Sequence, residues 1–293
     1  QSIPLDIYGL KVDARCDEPC LADGLQRLFG LFLLPEVCPD SWHLNLTKVD
    51  GSDKVVDLFE SKTSNRDGIR LHNSAGCVCL DKETKTIEAC IAPTLAGWAM
   101  LLAPILSVLQ SNEIFVMHSA AFVDHKCRGF IFPGNHSSGK TTITLTALRI
   151  GCSIVADDIL LFRLEGQSIR FLPFLSVLSV EDGNPTKKLI EVLNYYPKEV
   201  FQPITNPQFV LFPRITAEAR TTAEMITDRR ELFRLLLRNV MIPDEVTQRP
   251  RLLKILWELA GRASAYRLFL GQDHRSSPSV LNELLEKMEG VGL

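Results

Sequence analysis

The chain has 293 residues, 46% of them hydrophobic and 23% charged, with a formal net charge of -3. This is an ordinary globular composition with ample material for a core, enough for one large domain or two ordinary ones. The near-neutral, slightly acidic balance excludes the basic footprint of a nucleic-acid binder or of a protein held on an anionic membrane.

Taken in chain order, "LKVDARC" (10–16) alternates as a strand, and "LADGLQRLFGLFLL" (21–34) has apolar residues at 21, 25, 28, 29 and 32, the spacing of a helix. "WHLNLTKV" (42–49) returns to alternation. Strand-like runs follow at Lys54–Glu60 and Gly68–His72, then a hairpin from Cys77 to Ile91 around "DKETK". Residues 1–92 therefore read as a strand-rich α/β part, and 93–293 as the rest. "LAGWAMLLAPILSVL" (95–109) is shorter than the ~20 apolar residues of a membrane span and contains Pro104, so it reads as a buried helix.

"EIFVMHSAAFVD" and "RGFIF" predict a second hairpin, "TTITLTALRIG" a helix stopped by Gly151, "CSIVADD" a strand ending in two aspartates, and "ILLFRLEGQSIRFLPF" a hairpin turning at 165–167. The C-terminal third reads as mostly helical. Thr221-x-x-Glu224 has the form of a capping box, Leu232, Phe233, Leu236, Leu237 and Val240 form an apolar stripe, and a further helix spans Arg251 to Ala260. "AYRLFLG" is a late strand, and Pro278 opens a final helix.

The eight cysteines (16, 20, 38, 77, 79, 90, 127 and 152) include Cys16-x-x-x-Cys20 and Cys77-x-Cys79, neither of which is a metal knuckle, and no histidine has finger spacing. They read as structural thiols in apolar strands, which implies a reducing cytoplasm and makes the sequon matches at Asn45 and Asn135 coincidental. No signal-peptide pattern opens the residues given, and Gln1 in place of a methionine predicts a native start elsewhere.

The chemistry concentrates at "PGNHSSGKTT" (133–142), which fits G-x-x-x-x-G-K-[ST] with Gly134, Gly139, Lys140 and Thr141 in the fixed places. Such a loop, here Gly134, Asn135, His136, Ser137, Ser138, Gly139, Lys140, Thr141 and Thr142, turns its backbone N–H groups onto phosphate. The lysine reaches the outer phosphates and the following hydroxyl ligates Mg²⁺. A β-favouring run leads in and a helix-length run leads out, as the motif requires. Asp157 and Asp158 close the next strand, 17 residues after the lysine. A strand–loop–helix–strand unit returns them beside the loop, where one carboxylate can ligate Mg²⁺ and the other accept a proton from an attacking hydroxyl. The metal's charge would let both ionise.

His118-Ser119-Ala120, "GNHSSGKTT", "GCSIVADDILLF" and "AYRLFLG" together resemble the HPr kinase/phosphorylase-like family, strongly over about 114–165 and more weakly, in the same order, elsewhere. The resemblance implies a mixed-sheet α/β P-loop core shared with phosphoenolpyruvate carboxykinases, with a strand-rich N-terminal and a helical C-terminal part. It implies that Lys140 grips the β/γ-phosphates of ATP, that Thr141 and Asp158 serve the metal, that Asp157 is the base, and that His118 lies near the transferring phosphate. The family's Gly-rich downstream signature has no counterpart in "VLSVEDGNPTKK" (177–188). The chain is thus more similar to divergent members found with peptide-modification systems, including kinases of the C-terminal serine of lasso-peptide precursors.

The expected activity is ATP- and Mg²⁺-dependent phosphorylation of a hydroxyl, with a serine of a peptide or protein as acceptor. A free small molecule such as serine is the alternative substrate, and a non-catalytic nucleotide-binding regulator the alternative class. Arg214, Arg229 and Arg230 are candidates to clamp a phosphate or an acceptor carboxylate. The family's best-known members form hexamers, so a homo-oligomer is an open expectation. Neither nucleic acid nor membrane is an expected partner.

Overall fold

The computed structural model describes residues 1–50, 61–64, 68–181, 187–275 and 278–288. The run Lys54–Glu60 and the middle of "VLSVEDGNPTKK" lie outside these residues. The chain divides into two compact units, one formed by Gln1–Asn112, Leu175–Val177 and Pro243–Val246, the other by Glu113–Phe174, Leu178–Ile242 and Thr247–Leu293. The division falls after Asn112 rather than at residue 92, because the apolar helix ending at Ser111 belongs with the first sheet.

In the first unit, chain order runs β1 (Ser2–Ile7), β2 (Leu10–Cys16), α1 (Pro19–Phe29), β3 (Trp42–Lys48), β4 (Ser61–Ser64), β5 (Gly68–Asn73), β6 (Gly76–Asp81), β7 (Thr86–Ile91) and α2 (Leu95–Ser111). The strands form one sheet in the order β1-β2-β3-β7-β6-β5-β4, parallel at β2/β3 and β3/β7 and antiparallel elsewhere. The apolar stripe of α1 buries Leu21, Leu25, Leu28 and Phe29. Helix α2 starts where Thr94 accepts a hydrogen bond from Gly97 N at 3.3 Å. It has no charged residue, which fits its buried position.

The second unit continues with β8 (Phe115–Val123), β9 (Gly129–Pro133), α3 (Lys140–Arg149), β10 (Ser153–Ala156), β11 (Ile159–Glu165), β12 (Ser168–Leu172), β13 (Val177–Glu181), β14 (Lys187–Glu191), β15 (Ile204–Thr205), β16 (Phe209–Ile215), β17 (Thr222–Met225), α4 (Arg229–Leu237), α5 (Arg249–Arg262), β18 (Ser264–Leu270) and α6 (Pro278–Lys287). Its main sheet has the order β15-β12-β11-β8-β9-β16-β18-β17, with β10 also on β8, while β13 and β14 pair separately. Strands β9, β16 and β18 run parallel and the others pair antiparallel, so the sheet is mixed.

Both faces of this sheet are covered. Ile143 and Ala147 of α3 and Leu281 and Leu285 of α6 pack on Phe122, Phe130, Phe132 and Leu211. On the other face, Leu232 and Leu236 of α4 and Leu252 and Leu256 of α5 pack on Phe115, Met117 and Val210. Two expectations are corrected here. The C-terminal third is not mostly helical, since β16, β17 and β18 complete the sheet. Thr221 and Glu224 are not a capping box: Glu224 lies in β17 opposite Arg267, and α4 is capped by Asp228, whose carboxylate accepts from Arg230 N at 2.8 Å.

Candidate active site

Strand β9 runs directly into the loop 134–139, and α3 begins at Lys140. The turn requires left-handed backbone at Ser137 (φ 57°) and at Gly139 (φ 101°). A Cβ at Gly139 would also come within 2.5 Å of Leu270 Cδ1, and one at Gly134 within 2.6 Å of Ser138 Oγ. Gly139 is thus required by its backbone conformation, whereas at Gly134 a Cβ would have to displace the Ser138 hydroxyl.

His118 stands at the centre of the arrangement because β8 is paired along both edges. On one side its carbonyl accepts from Gly134 N at 3.3 Å, where the loop starts. On the other, β10 and β11 lie end to end along β8, with Ala156 opposite Ala121 and Ile159 opposite His118. Asp157 and Asp158 occupy the bend between them, held where Ser119 N donates to Asp158 O at 3.1 Å. A break in an otherwise continuous strand therefore turns two adjacent carboxylates out of the ladder beside the loop.

Lys140 is buried, and its ammonium donates to Gly134 O and Asn135 O, both at 2.9 Å, with Asp158 Oδ1 3.5 Å away. Thr141 Oγ1 donates to Asp157 Oδ2 at 3.0 Å, and Asp157 is buried. His118 Nε2 lies 2.7 Å from Asp158 Oδ1, with 39% and 45% of the two side chains exposed. The contacts divide the carboxylates differently from the sequence expectation: the metal-type hydroxyl touches Asp157, while Asp158 faces the histidine and the lysine.

Asn135, His136 and Ser137 are exposed at the loop tip, and Ser138 Oγ is buried with no hydrogen-bond partner among the described residues. Thr142 lines a small apolar cavity with Leu270, Leu281 and Leu284, so any part it plays at the loop is through its backbone. Arg214 is exposed at the end of β16, next to Pro213, which packs within 3.4 Å of where a Cβ on Gly134 would lie.

Arg229 and Arg230 are not at the loop. The Arg229 guanidinium donates to Trp257 O at 2.7 Å and lies 4.1 Å from the centre of that indole ring. The same guanidinium lies against Gly261, within 2.6 Å of where a Cβ there would be, at the end of α5, which leads to Ser264 opposite Phe209, the first residue of β16. The loop is at the other end of β16, roughly 20 Å of strand away. Arg230 adjoins Arg229 at the start of α4.

Sequence reasoning did not single out Asn239, whose carbonyl accepts from His118 N at 2.7 Å and fixes the backbone at that position. It acts through its main chain, so no side-chain pattern marks it. A separate cleft of about 500 Å³ lies in the first unit, lined by residues that include Lys11, Trp42, Lys82, Lys85 and Glu245. It contains none of the loop residues.

The residues present fit a phosphate-bound divalent cation in their donor chemistry. A hydroxyl and a carboxylate oxygen 3.0 Å apart supply hard oxygen donors, and Mg²⁺ typically takes its remaining ligands from phosphate and water. Among the described residues no three His, Cys, Asp or Glu side chains form a metal cage by themselves. No described helix is long and apolar enough to cross a membrane.

The fold is a mixed α/β arrangement with mixed sheets. No protein-family model matches the chain, and no curated protein sequence does. Among solved structures, the HPr(Ser) kinase/phosphatase from Coxiella burnetii aligns over 60% of this chain and 93% of its own, with 11% identity and a TM-score of 0.35.

Proposed function

We propose that this chain is an ATP- and Mg²⁺-dependent kinase that transfers the γ-phosphoryl group to a hydroxyl, with a serine of a peptide or protein as acceptor. The C-terminal serine of a ribosomal peptide precursor is the specific acceptor class we favour. The observation that carries this reading is the pair of contacts beside the start of α3, Thr141 to Asp157 and His118 to Asp158, with the Lys140 ammonium 3.5 Å from Asp158.

In this reading the N–H groups of the loop and of the first turn of α3 receive the phosphates, aided by the helix N-terminus. Lys140 exchanges the carbonyls of Gly134 and Asn135 for the outer phosphates. Thr141 and Asp157 would hold Mg²⁺, which would supply positive charge to offset that of the outer phosphates. The half-exposed His118–Asp158 pair receives the acceptor hydroxyl's proton while the acceptor oxygen bonds to the γ-phosphorus and ADP leaves with the bridging oxygen. The Thr141–Asp157 contact supports giving the metal to Asp157 and the proton to the pair containing Asp158, the reverse of the sequence expectation. Arg214, at the loop end of β16, is the remaining candidate for an acceptor carboxylate.

The test offers ATP and Mg²⁺ with peptides ending in serine, the same peptides amidated, free serine, and HPr. Phosphate on the free-acid peptide supports the proposal. Faster modification of free serine makes the chain a metabolite kinase, and rapid modification of HPr places it with the sugar-transport kinases. ATP binding without transfer to any acceptor makes it a regulator.

A further inference from the structure

On the sheet of the first unit, Cys77 of β6 stands directly opposite Cys90 of β7. Both project from the face opposite the buried Val78, Leu80 and Ala89; Cys77 is exposed and Cys90 half-buried. Two residues earlier in the same ladder, Ala92 N donates to Ala75 O at 2.8 Å, which makes Ala75/Ala92 a hydrogen-bonded pair. Alternation along an antiparallel ladder makes Cys77/Cys90 hydrogen-bonded as well, with Cα atoms about 5.5 Å apart. That Cα separation is within the disulfide range, while the Cβ atoms of a hydrogen-bonded pair, about 5 Å apart, must draw together by a fraction of an ångström to about 1 Å for the bond to close.

The two thiols are not equivalent. Burial, and then the neighbouring Cys77 thiol, hold the Cys90 thiol above its ordinary range and keep it protonated. Cys77 is the more open, and on its other edge it faces His72 of β5, also exposed and in direct register. Cross-strand neighbours of this kind have Cβ atoms about 4.5–5.5 Å apart, within reach of an imidazole that takes up a thiol proton. Cys79, two residues along β6, lies instead opposite Glu88, which accepts from Asn45 Nδ2 at 2.6 Å. Cys16 and Cys152 are buried, with thiols pushed up to about 11 by desolvation, and have no part in this chemistry.

We infer that Cys77 and Cys90 form a peroxide-reactive dithiol, with Cys77 attacking, Cys90 resolving and His72 positioned to take up the Cys77 proton. The Cys77 thiolate attacks one oxygen of hydrogen peroxide, the O–O bond breaks, and hydroxide leaves to be protonated as water. Cys77 is then a sulfenic acid. The Cys90 sulfur displaces its hydroxyl, which departs with the Cys90 proton as a second water, and the S–S bond forms. Two thiols are oxidised and one peroxide is reduced to two waters. A thiol reductant reverses the bond.

The experiment treats the full chain with a small excess of hydrogen peroxide and maps peptides by mass spectrometry without reduction. The expected product is a Cys77–Cys90 cross-linked pair, lost on treatment with dithiothreitol. Cys90→Ser should leave a sulfenic acid at Cys77 that dimedone traps, whereas Cys77→Ser should leave Cys90 unlabelled. His72→Asn should slow the Cys77 reaction about tenfold. All three replacements are on the open face of the sheet, and circular dichroism confirms that each variant is folded. A Cys77–Cys79 link, dimedone labelling at Cys79 or Cys90, or over-oxidation of Cys77 while Cys90 stays a thiol would each overturn the inference. An unchanged rate in His72→Asn would remove the histidine's part.

Discussion

Thr141 and Asp157 meet across 3.0 Å, hydroxyl to carboxylate, although 15 residues and a whole helix separate them in the chain. Asp158, the next residue, is turned to His118 at 2.7 Å. Adjacent carboxylates with different partners should fail in different ways. Asp157→Asn is expected to raise the Mg²⁺ concentration needed for half-maximal activity. Asp158→Asn and His118→Ala should lower kcat by about 10²–10⁴ with little change in Mg²⁺ requirement. Steady-state kinetics across a Mg²⁺ series distinguishes them, and identical Mg²⁺ defects in all three variants would contradict this division of labour.

Gly139→Ala tests the loop's geometry apart from its charges. Left-handed backbone costs a residue with a Cβ roughly 1–2 kcal/mol. Here the added carbon would also press on Leu270 Cδ1 at 2.5 Å. The variant should lose thermal stability and most of its ATP affinity together, measured by melting with and without MgATP. Full affinity in Gly139→Ala would show that the loop does not need this turn.

Arg229 and Arg214 give opposite expectations. Arg229→Ala removes a cation–π contact with Trp257, generally worth about 0.5–1 kcal/mol at an exposed site, and should lower stability slightly with kinetics unchanged. Arg214→Ala should raise the acceptor KM and leave ATP binding intact. A kinetic defect in Arg229→Ala would return it to the site.

Much of this site was legible because its chemistry depends on local spacing. The glycines, Lys140 and Thr141 are within one turn of chain, and an Asp pair at the end of a short strand is visible without knowing the strand's partner. What depends on distant pairing was not legible. Strand β16, "FVLFPRI", is flanked by β9 and β18 and covered on both faces over most of its length, so it lacks the alternation that marks a one-faced strand. Strand β1 carries Pro4, tolerated because β1 is at the sheet's edge. Thr221 fitted a helix start by spacing, yet its hydroxyl bonds to Asp273 at 2.6 Å and accepts from Gly271 N at 3.1 Å, contacts made 50 or more residues away. The division of Asp157 from Asp158 likewise depends on which way each side chain leaves the bend.

Glu245 provides a pH test in the first unit. Its carboxyl is held below its usual range, first by the Lys82 ammonium at 2.5 Å and then by the Ser111 hydroxyl at 2.6 Å. A depressed folded-state pKa contributes stability above the unfolded-state value, lost as pH falls through the folded value. Glu245→Gln should therefore be less stable than the parent at neutral pH and converge with it in acid, below the ordinary glutamate range. Denaturation midpoints across pH measure this, and a gap that persists undiminished in acid would contradict the ion-pair origin.

In the proposed function the loop 134–142 binds the phosphates of ATP through Lys140 with a metal held beside it. Calorimetric titration of the full chain with ATP, in the presence of Mg²⁺ and again with a chelator, tests this most directly. Saturable binding is expected, weakening markedly without Mg²⁺ and lost in Lys140→Ala, while the variant's melting curve still shows a folded protein. Absence of binding at millimolar ATP, or equal binding by the parent and a folded Lys140→Ala variant, would contradict it.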